Sequence, residues 1–295
     1  MEIFLQILAN GVMLGGLFAI VAIGLTLIFG IVKVINFAHG EFLMVGMYLT
    51  FLLTTGLDLH PYIAAAAVVP ALFVLGALTQ RFLIQPLLSA RDEHVQIFAT
   101  VGLSTALMNL ALLIFGADIA NTPVHGVRSQ VQLGPVRVLE GQIWILVAAV
   151  ALVIGLQFFM KRTTLGRAIR ATAQNRAAAQ LMGINDRLIY VLTFGIGAAC
   201  VGLGSALIAP LYPASPTVGT YFVLIAFVVV VLGGLGSVAG AFFGAILIGI
   251  VDAMSGFYIG SDLREAVVFG IFLVILILKP SGLFSTRLNQ SHVSP

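Results

Sequence analysis

Charge is scarce in this sequence: 8% of its 295 residues are Asp, Glu, Lys or Arg, against roughly a quarter in soluble domains. With 60% hydrophobic residues and a mean hydropathy of +1.14, the chain cannot coat a water-facing surface, which excludes a soluble globular domain. Cysteine is nearly absent too. Cys200 is alone in an apolar run, so neither a disulfide framework nor a thiolate metal cluster can form, and the redox compartment stays open. No Gly-Lys dipeptide occurs, so there is no Walker A loop to cradle phosphates and the chain cannot itself use ATP. The five histidines, His39, His60, His94, His125 and His292, lack the spacing of a zinc site. His39 and Glu41 project about 200° apart on a helix and cannot share an ion. These absences leave no catalytic residue, no metal ligand set and no cofactor held by this chain. Basic residues in such a protein report topology first, and nothing indicates nucleic acid.

What is present is hydrocarbon-length sequence. A spanning helix needs about 20 mainly apolar residues, and apolar runs fall at about 5–30, 40–55, 61–80, 95–116, 142–160, 188–210, 220–235, 240–257 and 263–279. The expected fold is an all-α polytopic integral membrane protein of about eight to ten transmembrane segments, in one domain over 1–295. Glu2 replaces a basic n-region and the first run exceeds a signal-peptide core, so residues 5–30 are expected to stay as the first span.

Orientation follows from Lys and Arg in short loops. The densest cluster, Lys161, Arg162, Arg167, Arg170, Arg176 and Arg187, is expected in the cytoplasm. Alternation from it puts Lys33, Arg81, Arg91, Lys279 and Arg287 inside and only Arg128, Arg137 and Arg264 outside, eleven against three. The N-terminus is then outside and the C-terminal tail inside. Two loops exceed mere turns: 117–140 outside, with the Pro, Gly and β-branched content of a small ribbon or lid, and 161–187 inside.

Two interruptions stand out. "VINFAHGEF" places Asn36, His39, Gly40 and Glu41 between apolar runs. "VLGGLGSVAG" places Gly233, Gly234, Gly236 and Gly240 likewise in the second half, with Gly236, Gly240 and Gly244 every four residues on one expected helix face. Paired interruptions mark discontinuous helices and a transport site near the midplane, where half-helix N-termini face anions. Asn36 is the expected N-cap of its half-helix. A second reading stays open, in which Lys33, His39 and Glu41 only mark the cytoplasmic interface. Glu41 and Asp252 are the intramembrane acids that ion coupling would need.

In the basic loop, "GRAIRATAQNRAAAQLMGIN" is helix-competent, with Arg167, Arg170 and Gln174 on one face. The face bearing Ile169, Ala173 and Arg176 is too polar for good membrane insertion. A protein partner is the expected contact.

"VINFAHGEFLMVGMYLT", "GRAIRATAQNRAAAQLMGIN" and "VVLGGLGSVAGAFFGAILIG" resemble segments of the permeases of branched-chain amino acid ABC importers, the LivH type, over nearly the whole chain. Ala177, Ala178, Ala179 and Gly183 resemble the Glu-Ala-Ala, three residues, Gly pattern by which such permeases dock on ATPases, with Ala177 in place of Glu. The resemblance implies a bacterial inner-membrane subunit whose partners are a second related permease or a second copy of itself, two cytoplasmic ATPases that use ATP, a periplasmic binding protein and membrane lipids. It implies coupling through Gly166, Arg167, Arg170, Asn175, Ala178, Ala179 and Gly183, and makes 117–140 a periplasmic contact. Branched-chain or other neutral amino acids are the implied substrates, with urea, short amides and aromatic acids also known in the class. An ion-coupled carrier and a passive channel are the alternatives.

Overall fold

Helices account for nearly every element of the chain. The computed structural model describes residues 1–88, 94–123, 127–280 and 282–284; the expectations for Arg91, His125, Arg287, His292 and the C-terminal tail lie outside them. In order come α1 (Glu2–Val32), α2 (His39–Leu57) and α3 (Pro61–Leu78), which passes through a π-helical segment, Thr79–Ile84, into the short α4 (Gln85–Leu87). Next are α5 (His94–Phe115), a two-stranded ribbon β1 (Gln130–Leu133) and β2 (Val136–Leu139), and α6 (Glu140–Arg162). The short α7 (Thr164–Gln174) and α8 (Arg176–Leu181) precede α9 (Asp186–Ile208), α10 (Val218–Gly233), α11 (Val238–Tyr258) and α12 (Arg264–Leu278).

Seven helices among the described residues are long and apolar enough to cross a membrane, and α10 is a shorter apolar one. Together these make eight candidate membrane helices among the described residues. At 1.5 Å per residue α10 is about 24 Å long, less than the roughly 30 Å of a hydrocarbon core.

The centre of the molecule is α1. A helix that is apolar on every side must be surrounded, and from Gly15 to Ile28 each residue of α1 is buried; α9, α10, α11 and α6 enclose it. Lipid is as apolar as leucine, so close approach between such helices relies on small residues. Gly11 and Gly15 of α1 lie on the backbone of α11 at Ala245, Gly249 and Ile250, and a Cβ on Gly15 would come within 2.6 Å of the Ile246 Cα. The α3–α9 contact uses the same device, with Gly76 against Ala198 and Gly195 beneath Phe73.

The glycine face expected on α11 is corrected here. Gly236 is outside the helix, at φ 87°, because Ser237 caps α11 by accepting a hydrogen bond from the Gly240 N–H at 3.1 Å. The crossing with α1 falls to Ala245 and Gly249 instead.

The stretch after α5 forms the expected ribbon, antiparallel with Gln130 opposite Leu139 and turning at Gly134, φ 63°. It is held to the start of α1 by one side-chain amide. Gln6 Nε2 donates to the Arg137 carbonyl at 2.7 Å, and Gln6 Oε1 accepts from the Arg137 N–H at 2.8 Å. Arg128 donates to the Pro210 carbonyl at 3.2 Å. At this end Arg137 and Arg264 line a cleft with Gln6 and Tyr212; at the other, Arg176 and Arg187 line one with Gln85.

Candidate functional site

The first interruption begins where Lys33, in the left-handed region at φ 59°, ends α1. The next five residues fold back along α1 and do not turn at its end. His39, the first residue of α2, brings its Nε2 within 3.1 Å of the Val21 carbonyl, and its ring lies against Gly24. Val21 is eleven residues before the end of α1, about 16 Å along the axis. The start of α2 therefore lies beside the middle of the longest helix and not at its end.

Asn36, His39 and Glu41 are buried at 0%, 0% and 1% exposure, enclosed by this chain's own helices. The expected N-cap is displaced: the residue flanking α2 is Ala38, and Asn36 Oδ1 accepts from the Ala38 N–H at 3.1 Å. Asn36 thus closes a turn one step before the helix, a role Asn takes as readily as capping. The Thr100 hydroxyl of α5 donates to the Ile35 carbonyl at 3.2 Å and Ser104 donates to Glu41 Oε1 at 3.2 Å, so α5 clasps the interruption from outside.

What meets the start of α2 is the start of α10. Gly40 lies on the Gly219 carbonyl, and Glu41 Oε2 is beside Gly219. From that junction the two helices diverge. Passing Ser205 at Gly46, α2 runs toward the end that holds Gln6, while α10 runs to the far end, where Gly236 lies against Gly30. The two helices thus meet N-terminus to N-terminus beside the middle of α1. Sequence reasoning missed Gly219 and Ser104, although "APLYPASPTVG" carries Pro210, Pro213 and Pro216, a run that no continuous helix tolerates.

The glycine interruption is real but elsewhere. α10 ends at Gly233, Gly234 takes φ 95°, and Gly233 packs on Gly240. Its neighbour is Gly30, at the end of α1, not the mid-helix pair Val21 and Gly24. Among the expected pathway residues the structure brings Asn36, His39, Gly40 and Glu41 together, and groups Gly233, Gly234, Gly236 and Gly240 apart from them.

The basic loop contains two helices, not one. Asn175 is extended, ends α7 and caps α8 by accepting from the Ala178 N–H at 3.0 Å. Gly166, Ile169 and Thr172 bury one face of α7, and Gly166 contacts Phe159 and Met160, while Arg167 and Arg170 face outward. α8 ends in a Schellman cap: the Ile184 N–H reaches the Ala179 carbonyl, the Gly183 N–H that of Gln180, and Gly183 takes φ 82°. Beside it Leu181 and Met182 are 89% and 82% exposed. Ala178 is exposed and Ala179 buried. Arg176 is paired with Asp186 at 2.6 Å.

Asp252, buried on α11, forms an ion pair with Arg264 of α12. That pairing removes it as a free coupling carboxylate.

Residues 7–276 match the family described as branched-chain amino acid transport system, permease component. The chain belongs to this family. Among fellow permeases, it is 33% identical to the high-affinity branched-chain amino acid transport system permease protein BraD of Pseudomonas aeruginosa over 95% of each chain. It is 32% identical to the corresponding LivH of Escherichia coli, again over 95% of each. A solved structure, PsaBC from Streptococcus pneumoniae in complex with Fab, shares the permease's fold with a TM-score of 0.53 over 94% of this chain and 93% of that one, at 13% identity.

Proposed function

We propose that this chain, as one transmembrane domain over 1–295, forms half of the translocation pathway of an ABC importer for branched-chain and other neutral amino acids. The observation that carries the reading is the pair of helices that meet N-terminus to N-terminus beside the middle of α1, α2 from His39 and α10 from Val218, in a chain of this family. Discontinuous helices are how transporters admit irregular backbone, since unpaired peptide groups are tolerated only inside protein or along a water-filled route.

A second permease, related or identical, completes the route. Two ATPase subunits supply the energy from ATP, and a binding protein delivers the substrate. Residues 161–187 take the cytoplasmic role, with the exposed tip Leu181 and Met182 and the outward Arg167 and Arg170 as the surface the ATPase grips. Gly166 and Asn175 position that surface, one by seating α7 and the other by capping α8. Residues 117–140 are periplasmic, the N-terminus is outside and the C-terminus inside, in the bacterial inner membrane. Asn36, His39, Gly40 and Glu41 form the gate, and the Gly233–Gly240 turn is the hinge by which the inner ends of α10 and α11 follow the ATPases.

Affinity purification from membranes tests the assembly: ATPase subunits and a second permease copurify, and proteoliposomes of the complex accumulate leucine only with ATP and the binding protein. Uptake driven by an ion gradient without ATPases would refute it.

A further inference from the structure

Three polar atoms at the start of α2 are buried without a partner: Asn36 Nδ2, His39 Nδ1 and Glu41 Oε2. An unpaired buried carboxylate oxygen is costly, and this one is not a remnant of poor packing. Ser104 holds its sister oxygen at 3.2 Å, which aims Oε2 at Gly219 in the first turn of α10. That turn is the positive end of a helix of 16 residues; the Val218 and Thr220 N–H groups donate to the Ser215 and Thr217 carbonyls, which leaves the Gly219 N–H between them. A carboxyl oxygen without a partner and the positive end of α10 therefore stand side by side. No Cβ intervenes, because Gly40 and Gly219 are in backbone contact.

Such a pairing matches the two charges of an α-amino acid. From it we infer that the junction of α2 and α10 is a binding site for the zwitterionic head group. When Gly40 and Gly219 part, Glu41 Oε2 takes the α-ammonium and the Gly219 N–H, at the positive end of α10, takes the α-carboxylate. The site selects against ligands lacking either charge, and it gives the permease a share in specificity in addition to its binding protein. This rests on the amino acid transport reading above.

The experiment uses the complete complex in proteoliposomes with leucine as probe. Wild-type complex is expected to take up leucine with ATP; failure to do so would overturn the transport reading and this site with it. Glu41→Gln keeps shape and removes charge. It should lower leucine uptake at least tenfold at matched levels of assembled complex, and Glu41→Asp should recover part of the uptake. Ser104→Ala frees Oε1 without touching the charge, and should raise the leucine concentration for half-maximal uptake several-fold at unchanged maximal rate; this variant decides if the Gln protein fails to assemble. Leucine uptake by Glu41→Gln at the wild-type rate, or an unchanged half-maximal concentration in Ser104→Ala, would overturn the site.

Discussion

The Nε2 of His39 lies 3.1 Å from the carbonyl oxygen of Val21, so a residue that begins one helix is fixed to the midpoint of another. The bond is buried from water and sets the depth at which α2 starts. Replacing His39 with Ala removes it together with the ring packed on Gly24, and a buried hydrogen bond contributes about 1 kcal/mol. Asn36→Ala removes the turn hydrogen bond to the Ala38 N–H before it at a similar cost. Both variants are expected to reach the membrane at normal levels and to take up leucine several-fold more slowly, measured with radiolabelled substrate at matched expression. Wild-type uptake by both would take this stretch out of the gate.

Close backbone contact makes α1 and α11 intolerant of bulk. Gly249→Leu inserts a side chain into the α1 backbone at Gly11 and Gly15, and overpacking costs about 1–3 kcal/mol or more. A clear fall in melting temperature is expected in detergent. Gly155→Leu on α6, where nothing lies within 4 Å, should melt like wild type.

Orientation has a direct chemical test. After Cys200 is replaced, cysteine at Ser129, exposed beside the ribbon, should react with an impermeant thiol reagent on intact cells. Cysteine at Gln174 should react only after permeabilisation. The opposite pattern would invert the topology.

Coupling is expected to fail for two separate reasons in two variants. Gly183→Val forces a branched residue to φ 82°, a conformation that costs an L-residue roughly 1–2 kcal/mol, and so disturbs the tip beside Leu181 and Met182. Arg170→Glu leaves the backbone alone and reverses an outward charge. Each should cut substrate-stimulated ATP hydrolysis while the subunit still inserts; stimulation at full strength in both would move the ATPase contact elsewhere.

The ion pair of Asp252 and Arg264 fastens α12 to α11. Removing one partner of a buried pair costs about 3–5 kcal/mol, an upper bound here because the Arg264 side chain is 37% exposed. Arg264→Gln alone should lower the melting temperature, and adding Asp252→Asn should restore most of it. No recovery in the double variant would mean that Arg264 acts through other contacts.

The membrane helices could be read from composition because lipid forces long apolar runs, and the interruption at Asn36 to Glu41 showed because polar residues are conspicuous in such runs. Its partner went unread. Gly219 follows three prolines that resemble an ordinary loop, and only the three-dimensional path reveals that this loop dips to the level of His39. The glycines of 233–240 drew attention by their spacing, yet spacing cannot tell a helix face from a left-handed turn, and Gly236 belongs to the turn. Asn175 was legible as part of a helix-competent stretch but not as its break, since capping depends on the backbone being extended at that one residue.

Because α1 is buried from Gly15 to Ile28 while α11 supplies the backbone that meets Gly11 and Gly15, α1 leaves the ribosome long before the neighbour it packs on. Some two hundred residues of synthesis separate Gly15 from Gly249. During that interval its glycine notches face lipid or a membrane chaperone. A chain stopped before α11 presents that bare surface, a mark by which membrane proteases can recognise an unfinished subunit.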